Sequence, residues 1–193
     1  MRKLLFILIA IIGFGIRSNA QEIMPNNVKN CVMKNAFGVD IGLGGSFLGF
    51  NGNKSETLFA PALGIRVMHH FNPYFGIDFF KINWLTDIYV KNAYEFTPYK
   101  MRLQIMPGVR GNSPVFLKCM SVYTVFRIGY GTDFGIGDFQ GLCLETELGI
   151  NITPIFFAGF AYNCQKYFGN SLFIYSGALM HTLAFRFGCN FGE

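Results

Sequence analysis

Several ionisable residues sit inside apolar runs at spacings that could do chemistry. Arg66, Lys100, Arg102, Arg110, Arg127 and Arg186 are basic, and Asp40, Asp78, Glu145 and Glu147 are acidic. Their neighbours are mostly aliphatic or aromatic, as in Ile65-Arg66-Val67, Ile77-Asp78-Phe79 and Phe185-Arg186-Phe187. Gathered on one inner face, the cations could line a path for anions, with the carboxylates opposite them. The same residues could instead pair with one another, because opposite charges buried together offset part of their desolvation.

A second set of residues could do acyl transfer or deacylation, which needs a nucleophile and a base held together. His181 and Ser176, with Glu95 or Asp138, are the candidates. Parity places His181 with Leu183 and Phe185 on an apolar face and Ser176 on the opposite one, so the pair does not converge. His69 and His70 precede the turn at Asn72-Pro73 and read as girdle or turn residues. No nucleotide-binding loop, zinc signature or catalytic triad is present, and no cofactor or metal is expected.

The elements that must position these residues are strands. In the closing segment His181, Leu183, Phe185, Phe187, Cys189 and Phe191 alternate with Thr182, Ala184, Arg186, Gly188 and Asn190. Strand side chains alternate faces, so one side is greasy and the other small, polar or charged. The pattern recurs at 36–50, 57–70, 75–85, 96–110, 115–131, 142–151 and 155–163, and the last strand runs from about 172 to 191. Alternation breaks near Phe80 and Ile82, which predicts a bulge or a strand end. Pro61 and Pro107 fall inside strands, where proline removes a ladder donor, and bulges there are the expected accommodation.

Connections alternate in length. Asn72-Pro73, Ser113-Pro114 and Thr153-Pro154 make short turns, whereas 51–56, 86–95, 132–141 and 164–171 are longer loops. Strands entering the short turns end alike, with Gly64-Ile65-Arg66, Gly108-Val109-Arg110 and Gly149-Ile150-Asn151. Short turns on one side and long loops on the other are the rhythm of an outer-membrane barrel, with turns in the periplasm.

The N-terminus supplies an address. Arg2 and Lys3 precede an apolar run at 4–16, and Ser18-Asn19-Ala20 offers small residues where a signal peptidase reads. The expected division is a signal peptide at 1–20, a polar periplasmic lead-in at 21–35 and a barrel at 36–193. No cysteine follows the cleavage site, so a lipoprotein is not indicated. The five cysteines have irregular spacing and no CxxC pair, and they read mainly as small apolar residues rather than a disulfide framework. A net charge of +5 spread along 193 residues does not point to nucleic acid.

Composition separates a membrane barrel from a soluble sandwich. The chain is 51% hydrophobic and only 14% charged, with 23 phenylalanines. An average domain is about 25% charged, so this one could not coat itself with charge while hiding its phenylalanines. In hydrocarbon a strand persists only with both edges paired, which closure provides. The sequence therefore predicts an all-β, antiparallel, up-and-down transmembrane barrel of about eight strands. Phe71, Tyr74, Phe75, Phe116 and Phe191 fall at one girdle, with Trp84, Tyr99 and Tyr130 nearer the other. A barrel of that size is only wide enough for side chains to fill. Its expected lumen cluster is Asp40, Arg66, Asp78, Arg102, Arg110, Arg127, Glu145, Glu147 and Arg186.

The signal ending Ser18-Asn19-Ala20-Gln21, the Gly-Ile-Arg and Gly-Val-Arg strand ends, and the closing Phe185-Arg186-Phe187-Gly188-Cys189-Asn190-Phe191 belong together. Over the whole mature chain they resemble small Gram-negative outer-membrane β-barrels, the OmpA/OmpX-like and PorT-like barrel domains. The resemblance implies that Phe191, with Phe187 before it, is a C-terminal signal read by the barrel-assembly machinery, although Gly192 and Glu193 follow. It also implies outer-membrane lipid and lipopolysaccharide as surroundings, and a structural or interaction role at the cell surface. Alternatives are an accessory of a secretion or transport system, a narrow pore, or a lipid A-modifying enzyme. A protein partner would meet the loops 86–95, bearing Ile88, Tyr89, Val90 and Tyr94, and 132–141.

Overall fold

The computed structural model describes residues 31–49, 57–92, 95–117, 119–135, 140–168 and 179–192. The expected signal peptide, most of the lead-in, and the loop segments 51–56, 136–139 and 169–178 lie outside these residues.

Every alternating segment forms a strand. In chain order these are β1 (Asn35–Gly49), β2 (Thr57–Phe59), β3 (Ala62–Asn72), β4 (Phe75–Asn92), β5 (Glu95–Asn112), β6 (Ser121–Gly135), β7 (Gln140–Asn151), β8 (Phe156–Phe168) and β9 (Leu179–Gly192). Each pairs antiparallel with its neighbour, and β1 pairs with β9, so the nine-stranded sheet closes into a ring. β2 and β3 both pair with β1, over Thr57–Phe59 and Ala62–His69 respectively, and so act as one interrupted stave. The ring therefore has eight staves.

The two awkward prolines explain the irregularities. Pro61 lies in the break between β2 and β3, where the Ala60 amide donates to Gly44 O at 2.8 Å and Pro61 O accepts from the Thr86 amide at 3.0 Å. Pro107 faces a two-for-one bulge, because Asp78 pairs with Gly108 while Lys81 pairs with Met106. Phe79 and Phe80 together oppose Pro107, and both point outward. The residue without an N–H thus stands where the ladder makes no demand for one.

Strands run further than the sequence predicts at the loop end. The expected loop 86–95 is largely ladder, since β4 and β5 stay paired through Val90–Phe96 and Asn92–Glu95. β8 likewise continues to Phe168 and β6 to Gly135, through segments expected as loops. The polar residues responsible are paired partners here: Asp87 faces Lys100, and Asp133 faces Arg102. Conversely, the described residues between Val115 and Met120 lie outside the ladder, apart from an isolated bridge between Leu117 and Met120.

The cysteines need a correction. Cys31 and Cys119 form a disulfide across 88 residues of chain. Cys31 precedes β1 and Cys119 lies in the turn between β5 and β6, on the far side of the ring. Residues 31–34 are thereby held across the proline-turn mouth, where Met33 O accepts from His70 Nδ1 at 2.9 Å. Two cysteines so distant in sequence become neighbours only through closure of the ring. Cys143 is buried inside, and Cys164 and Cys189 lie on the outer wall.

The sheet is inverted relative to a soluble barrel. Leu43, Leu148, Phe160 and Leu183 face outward with 52–61% exposure, while Arg66, Arg102, Arg127 and Glu145 are fully buried. Aromatic pairs line the outer wall near the proline turns, including Phe71–Phe75 and Phe156–Phe187.

A thiol count tests the disulfide. Denatured without reductant, the protein should take up maleimide at three cysteines, Cys143, Cys164 and Cys189, and at all five after reduction. Five modified sites without reductant would contradict the Cys31–Cys119 bond.

Candidate functional site

The period of two turns every second residue of a stave inward, and the register decides which inward residues meet. On β7 Glu145 and Glu147 face in while Thr146 faces out. Arg127 on β6 is the direct partner of Glu145. Its Nη1 donates to Glu145 Oε1 and to Glu147 Oε2, each at 2.7 Å, and its Nε donates to Asp78 Oδ2 at 2.7 Å. Arg127 leans over Gly108, where a Cβ would stand 2.5 Å from its Cγ. Glycine on the neighbouring stave gives the long side chain its room.

Bonds then cross the lumen. Lys81 on β4 reaches Glu145 at 3.1 Å, Glu147 at 3.3 Å and Asp40 at 3.7 Å. Arg186 on β9 donates to Asp40 Oδ1 at 2.7 Å, Asn83 Oδ1 at 2.9 Å and Glu145 Oε2 at 2.9 Å. Asn83 donates in turn to Glu145 Oε2 at 2.8 Å. Each carboxylate at this level is shared by at least two cations, which limits the penalty of burying it.

Nearer the loop end, Arg102 binds both oxygens of Asp87 at 2.7 and 2.8 Å, and also donates to Ser46 and Thr182 at 2.8 Å. Lys100 pairs with Asp133 at 2.8 Å and donates to Tyr167 at 2.6 Å. Gln104, Asn163 and Gln165 form an amide chain between these levels. At the proline-turn end, Arg66 stacks on Phe157 at 3.8 Å and donates to Asn190 at 3.0 Å. Arg110 lies over Tyr123 at 4.6 Å, with Asp78 3.5 Å from its Nε, and Tyr123 donates to Glu147 at 2.6 Å.

Asp40, Arg66, Asp78, Arg102, Arg110, Arg127, Glu145, Glu147 and Arg186 are all buried on the inner face. All but Arg102 are linked through shared ion pairs, whereas Arg102 sits in its own group with Asp87, Ser46 and Thr182. The sequence reading missed Lys81 and Asn83 because the bulge at Phe79 and Phe80 inverts parity for the rest of β4, and Asp87 because 86–95 reads as a loop. The signal was present: Lys81, Asn83, Leu85 and Asp87 alternate against Ile82, Trp84, Thr86 and Ile88. Asp133, Gln165 and Tyr167 were missed because their segments were read as loops.

The catalytic candidates do not assemble among the described residues. His181 faces outward, bonded through Nδ1 to the Tyr162 hydroxyl at 2.7 Å and stacked with Phe47 at 5.3 Å. Ser176, Asp138 and the Glu95 side chain lie outside the described residues. No group of three His, Cys, Asp or Glu side chains among the described residues is placed to hold a metal. Phe187 and Phe191 face outward on β9.

No protein-family model matches the chain, and no curated protein does. Solved structures do. The chain is similar to Ail, the attachment invasion locus protein of Yersinia pestis, with TM-score 0.56 and 17% identity, over 82% of this chain and 100% of that one. It is similar to Neisserial surface protein A, with TM-score 0.54 and 13% identity, over 81% and 99%. It is also similar to the outer membrane enzyme PagL, with TM-score 0.52 and 10% identity, over 77% and 97%. The fold is therefore that of the small outer-membrane β-barrels.

Removing one member of the central network leaves its partners buried and uncompensated, a loss of about 3–5 kcal/mol. Arg127→Met should therefore lower the urea midpoint of the folded barrel in lipid vesicles. Lys166→Ala, on the exposed face, should stay within about 0.5 kcal/mol of the parent. Equal effects of the two substitutions would contradict the network's role in stability.

Proposed function

We propose that this protein is an integral outer-membrane barrel with a closed lumen, acting at the cell surface as a structural or interaction protein. The observation that carries this reading is the pairing of cations with carboxylates across a fully buried interior, inside a wall of exposed Leu and Phe. A conduction path needs charged groups free to meet ions in transit, whereas here Arg102, Arg127, Lys81 and Arg186 are each bonded to carboxylates.

On this reading the signal at 1–20 exports the chain, the assembly machinery recognises the strand ending at Phe191, and lipid and lipopolysaccharide contact the wall. The proline turns face the periplasm and the loops face outward. A membrane crossing takes about 9–11 tilted residues, so the 18-residue strands β4 and β5 carry their ladder well beyond the bilayer. That raised hairpin offers a surface for a partner. Among similar folds, Ail carries an attachment-and-invasion name and has been solved with the heparin analogue sucrose octasulfate, which supports a surface role. PagL is an outer membrane enzyme, so the same fold also accommodates catalysis.

Purified protein inserted into planar bilayers should show no stable conductance, and steady single-channel steps would overturn the closed lumen. An epitope inserted at 136–139 should be labelled by antibody on intact cells. Labelling only after permeabilisation would reverse the orientation.

A further inference from the structure

The interior charges do not balance evenly along the barrel axis. Seven cations (Arg66, Lys81, Lys100, Arg102, Arg110, Arg127 and Arg186) face six carboxylates (Asp40, Asp78, Asp87, Asp133, Glu145 and Glu147) among the described residues. The least compensated cation is Arg110, near the proline-turn mouth. It is 98% buried, being 2% exposed, yet its Nε and Nη2 make no hydrogen bond. Its one ion pair, to Asp78, is 3.5 Å long, and Asp78 is already held by Arg127 at 2.6 Å.

Register brings a second unpartnered group beside it. His70 pairs with Gly76, and Gly76 pairs with Arg110, so the three lie in one row across β3, β4 and β5. Gly76 carries no side chain, and the His70 ring leans over it, its Cδ2 2.7 Å from where a Cβ would stand. His70 Nδ1 donates to Met33 O, so in the neutral ring Nε2 is an acceptor, and it has no partner. Asn112 Oδ1 is also buried without a donor, its amide nitrogen being spent on Pro73 O at 3.2 Å.

His70, Arg110, Asn112 and Asn190 line one pocket, roofed by Met33 of the segment that the disulfide holds in place. It is narrow, with room for a compact ion rather than an organic molecule. Arg110 offers donors, while His70 Nε2 and Asn112 Oδ1 require a donor from the ligand. Carboxylate and sulfate only accept at neutral pH. Hydrogen phosphate both accepts and donates, and brings Arg110 a hydrogen-bonded negative charge in addition to the 3.5 Å pair with Asp78. The phosphate of a phosphodiester carries no proton at neutral pH and only accepts. We propose that this pocket is a binding site for hydrogen phosphate, entered from the compartment that the proline turns face.

The test is calorimetric titration of inorganic phosphate into the purified full-length protein, disulfide intact, in phosphate-free maltoside micelles at neutral pH. One-to-one saturable binding is expected, with sulfate at least tenfold weaker. Arg110→Gln should abolish it, and His70→Phe should weaken it at least tenfold, each variant first shown to be folded by its heat-dependent gel shift. If Arg110→Gln fails to fold, His70→Phe carries the comparison. Absence of saturable binding, equal affinity for phosphate and sulfate, or unchanged binding in the folded variants would overturn the proposal.

Discussion

The pairing of β1 with β9 joins the two ends of the meander over fourteen successive residue pairs, from Ala36–Gly192 to Gly49–Leu179. Neither strand keeps a free edge on that side. In a hydrocarbon surrounding each unpaired backbone group would cost several kcal/mol, so the apolar outer wall is tolerable only because this seam is complete. The same closure brings residues 31–34 across the mouth and places Cys31 against Cys119, a contact that local structure could not produce.

Closure also creates the interior that the charges occupy. Eight staves enclose a lumen narrow enough for side chains from opposite walls to meet. Long cations can reach across because small residues stand beside them. Arg127 lies over Gly108, Arg66 over Gly38, and Tyr123 beside Gly149. The arrangement is one of complementary volumes as much as complementary charges. A barrel built this way is inside-out relative to a soluble one: the apolar residues meet the surroundings and the ionic residues form the core.

Alternation made most of this legible from residues alone. Phe185, Phe187 and Phe191 on one face and Arg186 on the other identify β9, and the same reading places Arg66, Arg102 and Glu145 inside. It fails where the period of two is broken. The two-for-one bulge at Phe79 and Phe80 transfers Lys81 and Asn83 to the lumen, and only a re-phased reading of β4 finds them. It fails again where polar composition suggests a loop, as at Asp87 and Asp133, since a charge satisfied by an ion pair to the neighbouring strand looks like a solvated one in sequence. The disulfide was hidden for a third reason, because its partners meet through ring topology and not through spacing.

The inversion of the sheet is tested most directly by nitroxide scanning of β9 in lipid bilayers, one label at a time from Leu179 to Phe191. Collision with oxygen and with a water-soluble nickel complex then reports what each position faces. A membrane-embedded barrel gives a period of two, with high oxygen and low nickel access at Leu183, Phe185 and Phe187, and low access to both at Ala184 and Arg186. Nickel access at the outward positions, or no alternation along the strand, would contradict it.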